Sequence, residues 1–341
     1  MTTIAVFAAI LALPISGASA QSVAQLDATA GRCLTDDEVP ASERAPYETA
    51  AKRFVETVLG ERPENAYAEF TEELRERISA EDFSRAVVQL IHGFRPLTEL
   101  HVAHSYRESQ ARLGSGRVNV PCTALAHGSL SAPDGRVMIA ASPAPLQAHV
   151  IIEGKAKNNR WAFVLWLFPD QPNWRIGGFY MTPITILDRT ATDLWNLARE
   201  QKRRGHSLNS YLLYVSAAQL AFRGPNLQLG IQPEIVKEVS AGKTPPELEG
   251  KPPYDWKFGE ATYHVLSVGP TGTAGVFDLE ITYEVAQAET DEELERRNRA
   301  LITAFAKAHS DYAEVFDGLV VRAKTSDGTG FTTIEQKHSG K

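Results

Sequence analysis

The chain has 341 residues, 43% hydrophobic and 23% charged, a globular composition with length for two or three domains. Its formal net charge is −7, so the broad basic face that neutralises phosphates is not expected and nucleic acid is set aside as a partner. The chain opens on an apolar run, Ile4 to Ile15, that leads into Ser16-Gly17-Ala18-Ser19-Ala20. Ala18 and Ala20 fit an A-x-A cleavage site, so residues 1–20 read as a signal peptide and the mature chain as periplasmic or secreted. No Lys or Arg precedes the run, which leaves an uncleaved anchor as the competing reading, although a membrane span needs ~20 apolar residues. No later stretch is long and apolar enough to span.

Residues 21–41 read as a polar leader containing Cys33, one of two cysteines; the other is Cys122. In an oxidising compartment they can form a disulfide tying the N-terminus to the body, or remain two separate buried thiols. No Cys-x-x-Cys and no His pair at ligand spacing accompanies them, so no metal site is expected.

The first periodic segment is "APYETAAKRFVETVLGERPENAYAEF". Tyr47, Ala51, Phe54, Val55 and Val58 recur at helical steps, with Ser42, Glu43 and Pro46 near the start and Gly60 at the end. A short helix is predicted around Pro63 to Phe70. A third follows Ser79 as N-cap, with Phe83, Val87, Leu90 and Ile91 as its stripe and Gly93 as its stop. After Pro96 the pattern changes to strands rich in β-branched and aromatic residues, punctuated by turns such as Pro133-Asp134-Gly135 and Lys157-Asn158-Asn159. Helices followed by a run of strands define an α+β class rather than a doubly wound sheet.

The helical opening "YETAAKRFVETVLGERPENAYAEFTEELRERISAEDF" and the closing strand "NWRIGGFYM" after a long hairpin resemble the nuclear transport factor 2-like superfamily, the SnoaL and ketosteroid-isomerase cone. The resemblance covers about 40% of the chain, roughly Pro46 to Pro183. It implies a cone-like domain over 42–187: a bent antiparallel sheet wrapping N-terminal helices, often around a cavity.

From Thr190 the pattern is helical again and splits at Gly205. Trp195, Ala198, Lys202, Gly205, Val215, Ala218 and Leu220 lie close to tetratricopeptide spacing, with Pro225 beyond the end. One such hairpin, over 188–242, cannot stand alone and must lean on a neighbour. A Pro-rich linker, 243–253, leads to 254–338. There two hairpins flank an amphipathic helix that Thr290 and Glu293 begin as a capping box, giving a small two-layer ββαββ domain. The second hairpin turns at Asp327-Gly328.

No catalytic constellation stands out, and no cofactor or metal site is expected: there is no Gly-x-Ser-x-Gly, no His-Glu-x-x-His and no phosphate loop of standard spacing. "GPTGTAG" sits between strands and reads as a turn. His101 and His104, three apart on a strand, point to opposite faces. The enzymes of the cone superfamily pair a carboxylate base with donors in an apolar cavity. Glu108 and Glu153 fall near strand ends and are expected to be solvated, while Asp82 reads as a helix cap, so that arrangement is not matched. The basic run Arg199 to His206 reads as complementing a helix C-terminus. The pocket candidates are His149, Trp161 and Trp166.

The strand "RWAFVLWLF" is apolar on both faces: Trp161, Phe163, Leu165 and Leu167 form one row, Ala162, Val164, Trp166 and Phe168 the other. One row faces the helices. Leaving the second in water would create a sticky patch, so it needs a cover: the helical hairpin and the ββαββ unit that follow in the same chain, a protein partner or homodimer through the sheet face, or an apolar small molecule. The expected function is an exported soluble protein acting as a non-catalytic binding or envelope-interaction module. The rival is a small-ligand carrier or enzyme using the cone cavity; the reading leans away from an enzyme without closing that class.

Overall fold

A computed structural model describes residues 32–91, 96–109, 118–123, 130–272, 275–285, 289–325 and 330–336. The expected signal peptide, the Gly93 stop and the Asp327-Gly328 turn lie outside the described residues. In chain order the strands and helices are β1 (Arg32–Thr35), α1 (Ala41–Leu59), α2 (Glu72–Arg77), α3 (Ala80–Ile91), β2 (Thr98–Ser109), β3 (Val118–Thr123), β4 (Arg136–Ala141), β5 (Leu146–Ala156), β6 (Asn159–Asp170) and β7 (Asn173–Pro183). They continue with β8 (Thr185–Ile186), β9 (Arg189–Thr190), α4 (Ala191–Arg204), α5 (Ser207–Ala221), β10 (Leu227–Leu229), α6 (Ile231–Ser240), β11 (Tyr254–Phe258), β12 (Ala261–Thr271), β13 (Asp278–Glu284), α7 (Asp291–Ala308), β14 (Gly318–Lys324) and β15 (Gly330–Gln336). The class is α+β, as the order of patterns implies.

The chain divides into two compact units. The first holds the described residues up to Ile184 and then Ala221–Gln232; the second holds Thr185–Leu220 and the chain from Pro233 onward. The stretch 188–242 is thus shared out: α4 and most of α5 fall in the unit that carries the ββαββ element, and β10 falls in the first.

In the first unit a five-stranded antiparallel sheet has the order β1-β2-β5-β6-β7. The polar leader therefore ends in a strand, β1, paired along β2 from Arg32↔Ser109 to Thr35↔Tyr106. α1 begins at Ala41 after Pro40, one residue before Ser42, and Gly60 follows its last turn. Its stripe of Tyr47, Ala50, Ala51, Phe54, Val55 and Val58 is buried. The short helix predicted near Pro63 is a 3-10 segment, Pro63–Glu69, and α2, which was not predicted, follows it. Thr71 caps α2 by accepting from the Leu74 N–H at 3.3 Å. Ser79 and Asp82 make the expected cap of α3, with the Asp82 N–H donating to Ser79 Oγ at 3.1 Å. These helices pack on one face of the sheet, where Ala148, Val150, Ile152, Trp161, Phe163, Leu165 and Leu167 join Tyr47, Phe54, Phe70 and Phe83 in a single core. A second sheet, of order β10-β4-β3, completes the unit.

In the second unit α4 and α5 form the predicted hairpin. Thr190 and Asp193 make a capping box at its start, and Gly205 ends α4 at φ +84°, a left-handed conformation that glycine adopts without steric cost. The five-stranded sheet has the order β11-β12-β13-β14-β15, with β13 and β14 parallel and joined through α7. β11 adds a strand ahead of the expected ββαββ set. α7 buries Leu294, Asn298, Leu301, Ile302 and Phe305, and its Thr290–Glu293 capping box is formed as predicted. The Pro-rich linker is packed rather than loose: Leu248 is buried, and the Trp256 indole N–H donates to the Glu247 carbonyl at 2.7 Å.

Candidate functional site

Residues directly opposite across a ladder share a sheet face. Cys33↔Glu108, Tyr106↔His149, Glu108↔Gln147 and His149↔Trp166 are such pairs, so these six residues occupy one face of the first unit's sheet. It is the face turned away from the helices. An apolar sheet face would be easier to bury, yet this one carries a carboxyl, an imidazole, a phenol and an amide.

The centre is a pair of fully buried side chains. His149 Nδ1 lies 3.2 Å from one Glu108 carboxyl oxygen and 3.3 Å from the other. Burial pushes the Glu108 carboxyl above its ordinary value, and the adjacent His149 opposes that shift. The imidazole stacks on Trp166 with centroids 5.6 Å apart. The Trp166 indole N–H donates to Gln147 Oε1 at 2.8 Å, and Gln147 donates to the Ser142 carbonyl at 2.9 Å. Among the described residues, the Tyr106 hydroxyl and His149 Nε2 are buried without a hydrogen-bond partner. Burial also raises the Tyr106 phenol.

A second charged group lies on the same face. Glu153 is 3% exposed, with Arg160 Nη2 at 3.6 Å. Arg223, 1% exposed, donates to the carbonyls of Leu130 at 2.9 Å and Phe222 at 3.1 Å. Burial pulls its guanidinium down to about 10, while Glu153 works in the other direction.

The cover of this face comes from the same unit. Cys122 of β3 is bonded to Cys33, and the Phe222 ring meets Tyr180 edge-on at 5.2 Å. Gly224 approaches Tyr180 so closely, at φ +90°, that a Cβ there would fall 2.9 Å from the ring. β10 then pairs with β4, from Leu227↔Ile139 to Leu229↔Val137. Within this unit β3 lies against the face through Cys122 and Ala221–Gln232 through Phe222 and Gly224, with β4 joining them in one sheet; β3 and β4 precede β6 in the chain, and Ala221–Gln232 follows it. A homodimer through this face would have to displace this cover.

One expectation about burial fails here. Glu108 and Glu153 are not solvated: they are 0% and 3% exposed. Closeness to a strand end does not open a residue to water when another layer lies over that end. The three pocket candidates lie on two faces, as the alternation of Trp161 and Trp166 implies. Trp161 belongs to the helix-side core, whereas His149 and Trp166 stack on the opposite face. The expectation that His101 and His104 point to opposite faces fails: a bulge between Val102 and His104 sets His101 opposite Glu153 and His104 opposite Ile151, two residues apart on β5 and so on one face; His104 is buried with Nδ1 2.8 Å from Asp36, and His101 is exposed.

The two cysteines form the disulfide, Cα atoms 5.4 Å apart. Donor atoms of Cys33, Glu108 and Cys122 lie within 4.8 Å of one another, a spacing a metal could use. Two of these three donors are sulfurs already joined to each other, which leaves one carboxylate and no ligand set.

In the second unit the basic run is largely paired. Arg199 binds Glu238 and stacks on Trp195 at 3.8 Å, and Arg204 binds Glu200 and Glu314. The Arg199 pairing holds the Glu238 carboxyl down to about 2. A shallow groove beside α4 mixes both signs, with Arg189, Asp193, Arg199, Glu200 and Arg203 on its walls. No helix among the described residues is long and apolar enough to cross a membrane. No protein-family model, no curated protein and no solved structure matches the chain.

Proposed function

We propose that this is an exported protein acting as a non-catalytic binding or envelope-interaction module, built on a first unit of the nuclear transport factor 2-like kind. The observation that carries the reading is the close packing of aromatic rings on the helix side of the sheet. Phe54 packs between Phe70 and Phe179, with centroids at 5.7 and 5.2 Å, and Phe70 meets Phe83 at 4.9 Å. Tyr47, Phe54, Phe70 and Phe163 are each at most 1% exposed. A ligand in the cone would have to displace its own core. The apolar N-terminal run and the disulfide support export.

A second reading, a small-ligand carrier or enzyme, draws on the opposite face, where Tyr106 and His149 each keep a buried polar atom without a partner among the described residues. Native mass spectrometry of the protein purified from its own envelope separates the two. The first reading expects the bare chain or the chain with a protein partner. A retained small molecule at one-to-one stoichiometry would overturn it in favour of the second.

A further inference from the structure

We propose that the Cys33–Cys122 disulfide is an exchangeable redox site, opened by a dithiol while the protein remains folded, with the Glu108 carboxyl giving its proton to the departing Cys122 sulfur. The two sulfurs are unequal. Cys33 is half-buried on β1, a four-residue strand at the sheet edge, and Cys122 is buried at 6% exposure. An incoming thiolate therefore has a path to Cys33, and Cys122 is the leaving group. A thiolate released into an apolar interior is poorly solvated and leaves slowly unless it is protonated as it forms.

Glu108 is placed for that task. It stands directly opposite Cys33 in the β1–β2 register and is fully buried, and a carboxyl oxygen lies within 4.8 Å of both sulfurs. Burial keeps its proton on at a pH where a surface glutamate has lost it. His149 Nδ1, 3.2 Å away, holds the carboxyl in place. A bridge serving only to staple two strands has no use for a buried acid beside it, and the acid costs desolvation free energy.

The step balances. One thiolate of the dithiol attacks Cys33 Sγ, the S–S bond breaks, and Cys122 leaves with the electron pair and takes the Glu108 proton. The second thiol of the reductant then attacks the mixed disulfide. Cys33 leaves as a thiolate and takes a proton, and the reductant departs as its cyclic disulfide. Glu108 then recovers a proton from solvent. Two electrons and two protons pass from dithiol to protein.

The test uses the full mature chain without denaturant and with a chelator present. Dithiothreitol reduction is followed by acid quench, alkylation and intact mass. We expect a rate first order in dithiol and unaltered by low urea. Its constant, corrected for thiolate concentration, should fall as pH rises through the Glu108 titration. In Glu108→Gln that slope should vanish, and the rate at the acid end should drop at least ~10-fold. A rate that climbs with urea in step with unfolding, or equal profiles for the two proteins, overturns the proposal. Should Glu108→Gln not fold, the wild-type pH profile and single-cysteine variants decide. Cys122→Ser should take up glutathione from glutathione disulfide at Cys33, while Cys33→Ser should not; equal uptake overturns the assignment of roles.

Discussion

The disulfide should also be the largest single covalent contribution to the first unit's stability, and replacing both cysteines by alanine measures it. The bridge spans a sequence separation of 89 residues. A loop of that length gives a loss of about 4.6 kcal/mol in the chain-entropy treatment. That is a large part of the 5–15 kcal/mol by which domains are ordinarily stable, so the variant should fold but be marginal. With a urea dependence of about 1–3 kcal/mol/M, the midpoint should fall by roughly 1.5 M or more. Hydrogen exchange read by mass spectrometry is the discriminating assay, because it follows peptides individually. If the bridge constrains the whole unit, protection should fall in β5 and β6, at the centre of the sheet. A loss of protection confined to β1, with β5 and β6 within ~1 kcal/mol of wild type, would refute this. It would mean that β1 detaches before the unit unfolds, so the loop is never closed in the state that matters.

Glu108→Gln should flatten the acid side of the stability curve. Because the folded-state value is raised, the wild-type contribution is full below the ordinary value of 4.5 and is lost as pH rises through the folded value; urea midpoints between pH 4 and 8 should show that slope in the wild type alone. Phe54→Ala should cost ~3–5 kcal/mol, since the ring is fully buried between Phe70 and Phe179, and calorimetry should register a large fall in the first unit's melting temperature. Thr290→Ala removes an oxygen that accepts from the Glu293 N–H at 3.3 Å and should cost about 1 kcal/mol in the transition monitored at Trp256. A chain truncated after Ile184 lacks Phe222, Arg223 and β10 and should self-associate in sedimentation velocity; a monodisperse monomer would show that the covering segment is dispensable.

Much of this architecture was readable in the residues because local signals agreed with the final packing. The α1 stripe, the capping pairs Thr290–Glu293 and Ser79–Asp82, the strands from β2 to β7 and the parity of Trp161 against Trp166 all follow from spacing. What failed depended on partners distant in sequence. β1 was hidden in a polar leader because a four-residue edge strand takes its identity from the strand it pairs with. α2 was overlooked because none of its residues is buried, so no apolar period marks it. Tyr106 and Gln147 could have been found: once β2, β5 and β6 are aligned, parity alone puts them beside His149 and Trp166. Arg223 gives no such sign, since an arginine before Gly-Pro reads as a solvated turn.

The misreading of Glu108 and Glu153 bears on how the unit is assembled. A carboxylate on a strand usually lies at an edge or an end, because water is the cheapest partner for a charge. Here the chain brings a covering layer from two separate places, β3 with β4 and then Ala221–Gln232, the second arriving only after α4 and α5 have been traversed. Such a layer need not bury acids; a valine or leucine at 108 would seal the face at lower cost. Keeping Glu108 there, with His149 against it and a disulfide beside it, concentrates ionisable chemistry where the fold gains least from it. That expense is the physical reason to seek activity at the sulfurs rather than in the aromatic-filled core on the helix side.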